Sequence, residues 1–251
     1  MSIINLIQES RNVLKDVMDQ RGYDPKTIKD YTIIQLDELY DKASSEGNVN
    51  DIFSFNVNHK EIPEIKTHII YYNLPKKGDN KSLRVTRSII NYIENIYEEE
   101  NINFEDNILL IINEKVSESI KNLVSKYNLT SKERLINDEI EELNEKIQDY
   151  INKDDNKYNI KNTHNVHICW LKIVAIDPLN HISVPKHRII KDDDEINKIL
   201  IKCNCTKSQL PVINSFSDTI VLLLGGIPGD LCEVLRINKH SGIAVSYRLC
   251  K

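Results

Sequence analysis

The chain has 251 residues, enough for a sizeable core and for two domains rather than one. Its formal net charge is -5, from 33 basic and 38 acidic residues. That excludes a general polyelectrolyte binder and confines any nucleic-acid contact to a local patch. The charge is uneven: residues 166–251 carry 11 Lys plus Arg and 8 Asp plus Glu, a net of +3, leaving 22 and 30, a net of -8, for the rest. The five cysteines form no Cys-x-x-Cys pair and no framework spacing, which points to free thiols in a reducing compartment. The first residues lack a signal-peptide layout, and the longest apolar run, residues 220–224, is far too short to cross a bilayer, so no membrane partner is expected.

Ile3, Ile7, Leu14 and Met18 recur at roughly helical spacing, and Gly22 in Arg21-Gly22-Tyr23 predicts the helix stop. A second helix is predicted over 25–42, a polar loop over 44–50, and strands over 52–57 and 68–72. A helix over 83–97, a buried strand over 108–112 and a helix over 116–127 follow. Strand, helix, strand, helix is an α/β arrangement. Thr130-x-x-Glu133 then has the form of a capping box. Ile136, Ile140, Leu143, Ile147 and Tyr150 make a heptad seam, with Asp138, Glu139, Glu141, Glu142 and Glu145 on the other sides. This helix either docks on a partner or packs on the chain's own core; the second is expected, because most amphipathic helices cover their own core. Residues 152–165 are polar and read as a linker.

Residues 168–176 read as a strand opening the last module. Asp192-Asp193-Asp194-Glu195 starts a helix carrying Ile196, Ile199 and Leu200, with carboxylates facing the positive helix end. Residues 231–237 and 243–249 read as a hairpin with Gly242 in its turn. The expected apolar set of the module is Ile176, Val184, Ile199, Leu210, Val234, Leu235 and Val245.

No catalytic constellation stands out. Asp51 with Glu64-Ile65-Lys66 has the residue types of a Mg²⁺ nuclease of the restriction-enzyme fold, but Pro63 beside Glu64 argues against the central strand this needs. Cys203 and Cys205 with His181 and His187 are a weak zinc set; buried thiols, and histidines that fix the loop around Pro185, are the expected reading. Gly225-Gly226-Ile227-Pro228-Gly229 lacks the Lys-Ser/Thr of a phosphate loop and reads as a turn. No cofactor and no metal are expected. The best nucleic-acid candidate is the loop 75–84, with Lys76, Lys77, Lys81 and Arg84 feeding a helix start whose amides could hold a phosphate. Composition alone does not separate that from solvated surface lysines. Lys115 and Ser117 form a second, weaker candidate.

Taken together, His181-x-x-Val184-Pro185-x-His187, Gln209-Leu210-Pro211, Gly225-x-x-x-Gly229-Asp230, Arg236, Gly242 and Tyr247-Arg248-Leu249 resemble one family. It is the fifth subunit shared by the eukaryotic nuclear RNA polymerases, together with its counterpart in the archaeal RNA polymerase. Arg21-Gly22-Tyr23 extends the resemblance more thinly to the N-terminal part. The apolar run 219–224 departs from the family pattern, and 130–165 has no family counterpart, so it reads as an insertion.

The resemblance implies an α+β chain: an N-terminal jaw domain with a nuclease-like α/β core (1–129), the acidic helical insertion and linker (130–165) and a small mixed α/β assembly domain (166–251). It implies a non-catalytic subunit of a multisubunit DNA-directed RNA polymerase, with the polymerase chemistry on other chains. The assembly domain would dock on the largest subunit near the omega-like small subunit, through His181, Pro185, Lys186, His187, Gln209, Leu210, Pro211, Arg236, Tyr247 and Arg248. The jaw would lie beside downstream double-stranded DNA, which favours phosphate contacts for Lys76 and its neighbours. The Asn, Ile and Lys bias and the diverged jaw suit a large DNA virus or an AT-rich protist. The expected location is therefore the nucleus if cellular, or the virion and host cytoplasm if viral. The alternatives are a Mg²⁺-dependent nuclease and a coiled-coil adaptor.

Overall fold

The computed structural model of the chain describes residues 2–47, 49–78, 84–99, 102–137, 163–238 and 242–251. Two four-stranded sheets organise them. Helix α1 (Ile3–Gln20) is capped by the Ser2 hydroxyl and ends at Gly22, whose φ of +89° makes the stop that the sequence predicts. The expected second helix divides. Pro25–Thr27 is a single 3-10 turn, and α2 (Ile33–Glu46) starts at a capping box between Thr32 and Gln35. The expected strand over 52–57 is also two elements, a short helix α3 (Val49–Phe53) and the strand β1 (Phe55–Asn58).

Strands β2 (Lys66–Tyr72), β3 (Asn107–Ile112) and β4 (Val166–Trp170) complete the first sheet in the order β1-β2-β3-β4. β1 is antiparallel to β2, and the other pairs are parallel. Side-chain alternation divides the strands between two cores. Ile69, Tyr71, Leu109 and Ile111 face α1 and α2; Ile70, Ile108, Leu110, Ile112 and Ile168 face α4 (Ile89–Glu99) and α5 (Glu118–Asn137). The result is a three-layer domain.

Three expectations about boundaries are corrected here. The strand at 166–170 belongs to the first sheet through its parallel register with β3 and does not open the C-terminal module. Thr130 sits inside α5, which starts at Glu118, so it does not mark a helix start. Residues 163–165 are buried, not linker: the Asn128 amide grips both backbone groups of Val166, at 2.8 and 2.9 Å, and His164 stacks on Phe104. The divisions at 129/130 and 165/166 therefore cut a continuous helix and a sheet. The rest of the heptad, and the polar residues 152–162, lie outside the described residues.

After the short helix α6 (Leu171–Ala175), the second sheet has the order β5-β7-β8-β6. It is built from β5 (Lys186–Ile190), β6 (Val212–Ile213), β7 (Leu231–Asn238) and β8 (Gly242–Cys250). Helix α7 (Asp193–Cys203), capped by Asp192 as its acidic start predicts, covers Ile190, Leu231 and Leu249 on one face. Helix α8 (Thr219–Leu223) covers the other face.

The apolar run at 220–224 forms this helix and its C-cap. Val221 packs on the second sheet, while Leu222 and Leu223 belong to the core of the first. Arg21 fastens it: Nε and Nη2 donate to the carbonyls of Leu223 and Leu222, each at 2.6 Å. Those carbonyls lie at the C-terminal end of a helix, where a cation is favoured; the Leu222 carbonyl also accepts the Gly225 amide, at 3.1 Å.

Gly225 makes this approach possible. Its φ is +70°, and a Cβ would lie 3.1 Å from Arg21 Nε. Gly225→Ala is expected to destabilise the fold by about 1–3 kcal/mol, from backbone strain and displacement of Arg21. Arg21→Gln should lose a similar amount, and the double variant should lose less than the sum because the two positions act on the same pair of bonds. Urea unfolding of the full chain measures all three.

A second junction is sensitive to pH. His59 Nδ1 accepts the amides of Glu61 (3.3 Å) and Ile62 (3.2 Å), and its ring meets Tyr23 edge-on. Burial, with smaller contributions from Lys191 and Lys60, lowers its pKa from the ordinary 6.5. The unfolded chain then binds more protons than the native one below that value. The His59 contribution is complete above about pH 6.5 and is lost as pH falls through the lower native pKa. His59→Gln should flatten this part of the acid decline, measured by urea titrations between about pH 7.5 and 5.

Candidate functional site

Two regions hold the candidate residues. The first is the end of the first sheet where β2 and β3 finish. Asn73 Oδ1 accepts the Asn113 amide (2.7 Å), and Glu114 Oε1 accepts the Val85 amide (2.5 Å). These bonds gather Lys76, Arg84 and Lys115 at the carboxyl ends of two parallel strands, where open α/β sheets usually bind ligands. All three are exposed. Lys77 differs. Its ammonium pairs with Asp37 (3.1 Å) and Asp41 (2.5 Å) on α2, which raise its pKa, and its amide donates to Ser44. Lys77 therefore fastens the loop to α2. Lys81 lies outside the described residues.

The expected helix start at 83 moves to Ile89, so Arg84 is not at a helix N-terminus. Ser117 does precede a helix: its carbonyl accepts the Ile120 and Lys121 amides at the start of α5.

The nuclease reading fails on geometry. Asp51 lies on α3, and Asn50 beside it accepts the Leu74 amide just past the end of β2. Glu64 lies in the turn before β2 begins. The seven residues of β2 separate them by roughly 20 Å, at about 3.3 Å per residue, so they cannot share an ion.

The second region is the far end of the β7–β8 hairpin and the loop before β5. The histidines staple that loop as expected: Val184 N donates to the His181 carbonyl (2.8 Å), His181 Nδ1 accepts the Ser183 amide (3.2 Å), and His187 Nδ1 lies 2.6 Å from the Pro185 carbonyl oxygen. A groove of about 840 Å³ runs between loop and hairpin, bringing His181, Pro185, Lys186 and Arg236 together.

Its apolar lining is what the sequence reading missed. Ile182 is 97% exposed, Ile237 90% and Ile243 69%. Val245 and Ile176, expected in the core, are 48% and 61% exposed. Strand alternation places Leu235, Ile237, Ile243 and Val245 on the face that α7 covers, but α7 lies over Leu231 and Leu249 further along. Only the helix position reveals this; the apolar strand pattern is that of a buried hairpin.

The remaining candidates lie elsewhere on the second sheet and do internal work. Gln209 Oε1 accepts the Thr206 amide (2.8 Å), Leu210 and Tyr247 pack against the α7 core, and the Pro211 carbonyl accepts the Leu249 amide (2.8 Å). Arg248 sits opposite Cys232 and is half-buried. Cys203 is exposed and Cys205 half-buried, which corrects the expectation of buried thiols there. Among the described residues no three His, Cys, Asp or Glu side chains gather closely enough to hold a metal ion. Cys169 and Cys232 are buried, and burial pushes their thiols up to about 12 and about 11, which suppresses the reactive thiolate.

A rigid stapled loop facing an uncovered apolar strand pair is the chemistry of an assembly module, suited to burying another polypeptide. A family model described as RNA polymerase Rpb5, C-terminal domain, matches residues 176–250. Archaeal proteins named DNA-directed RNA polymerase subunit Rpo5 are similar over the same part. That of Methanopyrus kandleri is 37% identical over 82 residues, covering 30% of this chain and 89% of its own length. That of Sulfurisphaera tokodaii is 40% identical over 75 residues, 30% of this chain and 87% of its own length. That of Pyrococcus horikoshii is 38% identical over 69 residues, 28% and 82%. The chain belongs to the Rpb5/Rpo5 family of RNA polymerase subunits. The match begins at Ile176, just past α6, so the family module is the second sheet with its loops and helices, and the first sheet lies outside it.

Proposed function

We propose that this chain serves as a non-catalytic subunit of a multisubunit DNA-directed RNA polymerase, fixed to it by the second sheet. The largest subunit is the partner for the docking face, with the omega-like small subunit beside it. The observation that carries this reading is the uncovered apolar hairpin end, Ile182, Ile237 and Ile243, inside the stretch that matches the family. An exposed cluster of this kind gains most from burial, at about 25 cal/mol per Å² of apolar surface removed from water.

Ile237→Asp with Ile243→Asp tests it. Both side chains are already in water, so melting of the full chain should change little. Binding to the largest subunit should weaken by about ten-fold or more, as for truncation of a central interface residue. Wild-type affinity in the double variant rules this face out.

The first sheet is proposed to lie beside downstream duplex, with Lys76, Arg84 and Lys115 reaching phosphates. The structural support is that hydrogen bonds bring the two basic segments, distant in sequence, to one end of the sheet. Reversing these three charges to Glu should lower the salt dependence of the assembled polymerase on duplex DNA, by roughly 0.9 in log-log slope for each phosphate no longer neutralised. Lys77→Glu should act mainly by loosening the loop from α2, and so be seen in loop proteolysis. An unchanged slope in the triple variant assigns the three residues to solvated surface.

A further inference from the structure

The second sheet has an unfinished side. β6 pairs with β8 only at Leu249 and Cys250, and no other described segment pairs with β8 on that side. The direction of the free groups follows from the bonds already made. Cys250 N donates toward β7, to the Asp230 carbonyl at 2.9 Å, whereas Leu249 N donates toward β6, to the Pro211 carbonyl at 2.8 Å. Alternate residues of a strand point their peptide groups to opposite sides. Ile243, Val245 and Tyr247 therefore aim N–H and C=O away from β7, into the open side. A row of backbone donors and acceptors left this way is a template for another strand.

The side chains along this edge select the occupant. Ile243 and Val245 stand on the uncovered apolar face beside their register partners Ile237 and Leu235, so an added strand would place alternate residues against an apolar row. Charge narrows the choice. Residues 179–187, 234–238 and 242–248 carry Lys186, Arg236 and Arg248 and no carboxylate. The nearby carboxylate Glu233 is taken up by Arg188, at 3.0 Å. Of these Arg248 lies on β8 itself; two copies of this edge laid together would add a second basic group and supply no carboxylate to meet it, which favours a different partner over self-pairing.

We propose that the open edge of β8 is a β-addition site that takes one extended segment of a partner polymerase subunit, apolar on one face and bearing carboxylates. The inference rests on the docking reading above and names its mode: backbone pairing supplies affinity, and the alternate side chains supply selectivity.

Val245→Pro isolates the edge. The Val245 amide lies outside the β7 ladder, so proline there leaves the chain's own hydrogen bonds in place, as edge strands allow. It removes one outward donor and sets a ring against an incoming strand. Val245→Ala trims the side chain and keeps the amide. The full-length variants are added to the polymerase assembled without this subunit. Val245→Pro is expected to melt like the wild type and to bind about ten-fold more weakly or worse, with Val245→Ala much closer to wild type. In the wild-type complex, amide exchange of residues 243–247 should slow relative to the free chain, a readout that holds even if the proline variant fails to fold.

Wild-type binding by Val245→Pro, or no change in exchange of this strand, overturns the edge proposal and leaves docking intact. Equal losses in both variants assign the effect to the side chain and also overturn it. Self-association of the wild type that disappears in Val245→Pro would make the occupant a second copy and overturn the choice of a polymerase segment. Failure of the wild-type chain to join the polymerase overturns both readings.

Discussion

The Arg21 guanidinium donates to the Leu222 and Leu223 carbonyls at the end of a helix buried on both sides, and the relation of the two sheets depends on that pair of bonds. A five-residue helix has little stability of its own. Here it is held at its start by Asp218, whose carboxylate accepts the Ile220 and Val221 amides, and at its end by Arg21. Removing the cation would leave the Leu223 carbonyl without this donor in a region from which water is largely excluded, and the Leu222 carbonyl with the Gly225 amide, a cost larger than the net gain of a typical hydrogen bond. The close approach needs a residue without a side chain at 225. Gly226 meets a second limit, since a Cβ there would lie 2.6 Å from Val221. The glycine pair thus serves close packing.

The first sheet fixes where its loops can act. β2 and β3 run parallel, β3 buried throughout and β2 for most of its length, and the helices α4 and α5 lie on the same side. Their carboxyl ends therefore open onto one surface, which receives the loops at 73–77 and 113–117. α5 ends at Asn137 and the described residues resume at Thr163, where the residues on either side are structural. Asn128 and Asn107 supply side-chain amides that bond the backbone of Asn165 and Val166 at the start of β4.

The second sheet is small and its cores are thin: among the described residues Ile190, Leu231 and Leu249 are buried beneath Ile196 and Ile199 of α7, and Cys232, Val234 and Cys250 are buried beneath Val221 of α8. Glycine turns, caps and the β6 bonds make it rigid without making it complete. The same economy leaves an apolar hairpin end and an open strand edge in water, which a free-standing domain would cover or charge. A subunit that lives in a complex can leave that coverage to its partners.

Local chemistry made much of this legible from sequence. Gly22, Asp192 and Gly242 mark element ends because capping and positive φ are properties of a residue and its immediate neighbours. The β2 and β3 strands declare themselves by continuous apolar runs, and the ordered motifs from His181 to Leu249 identify the family. Tertiary structure decided what local pattern could not. Strand 166–170 reads the same in either sheet, and only its register with β3 assigns it to the first. Lys77 looks like Lys76 until α2 brings Asp37 and Asp41 against it. Val245 has the alternation of a core residue, but α7 stops short of it. In each case the deciding partner is far away in sequence, so periodicity and propensity, which report on neighbours along the chain, carry no information about it.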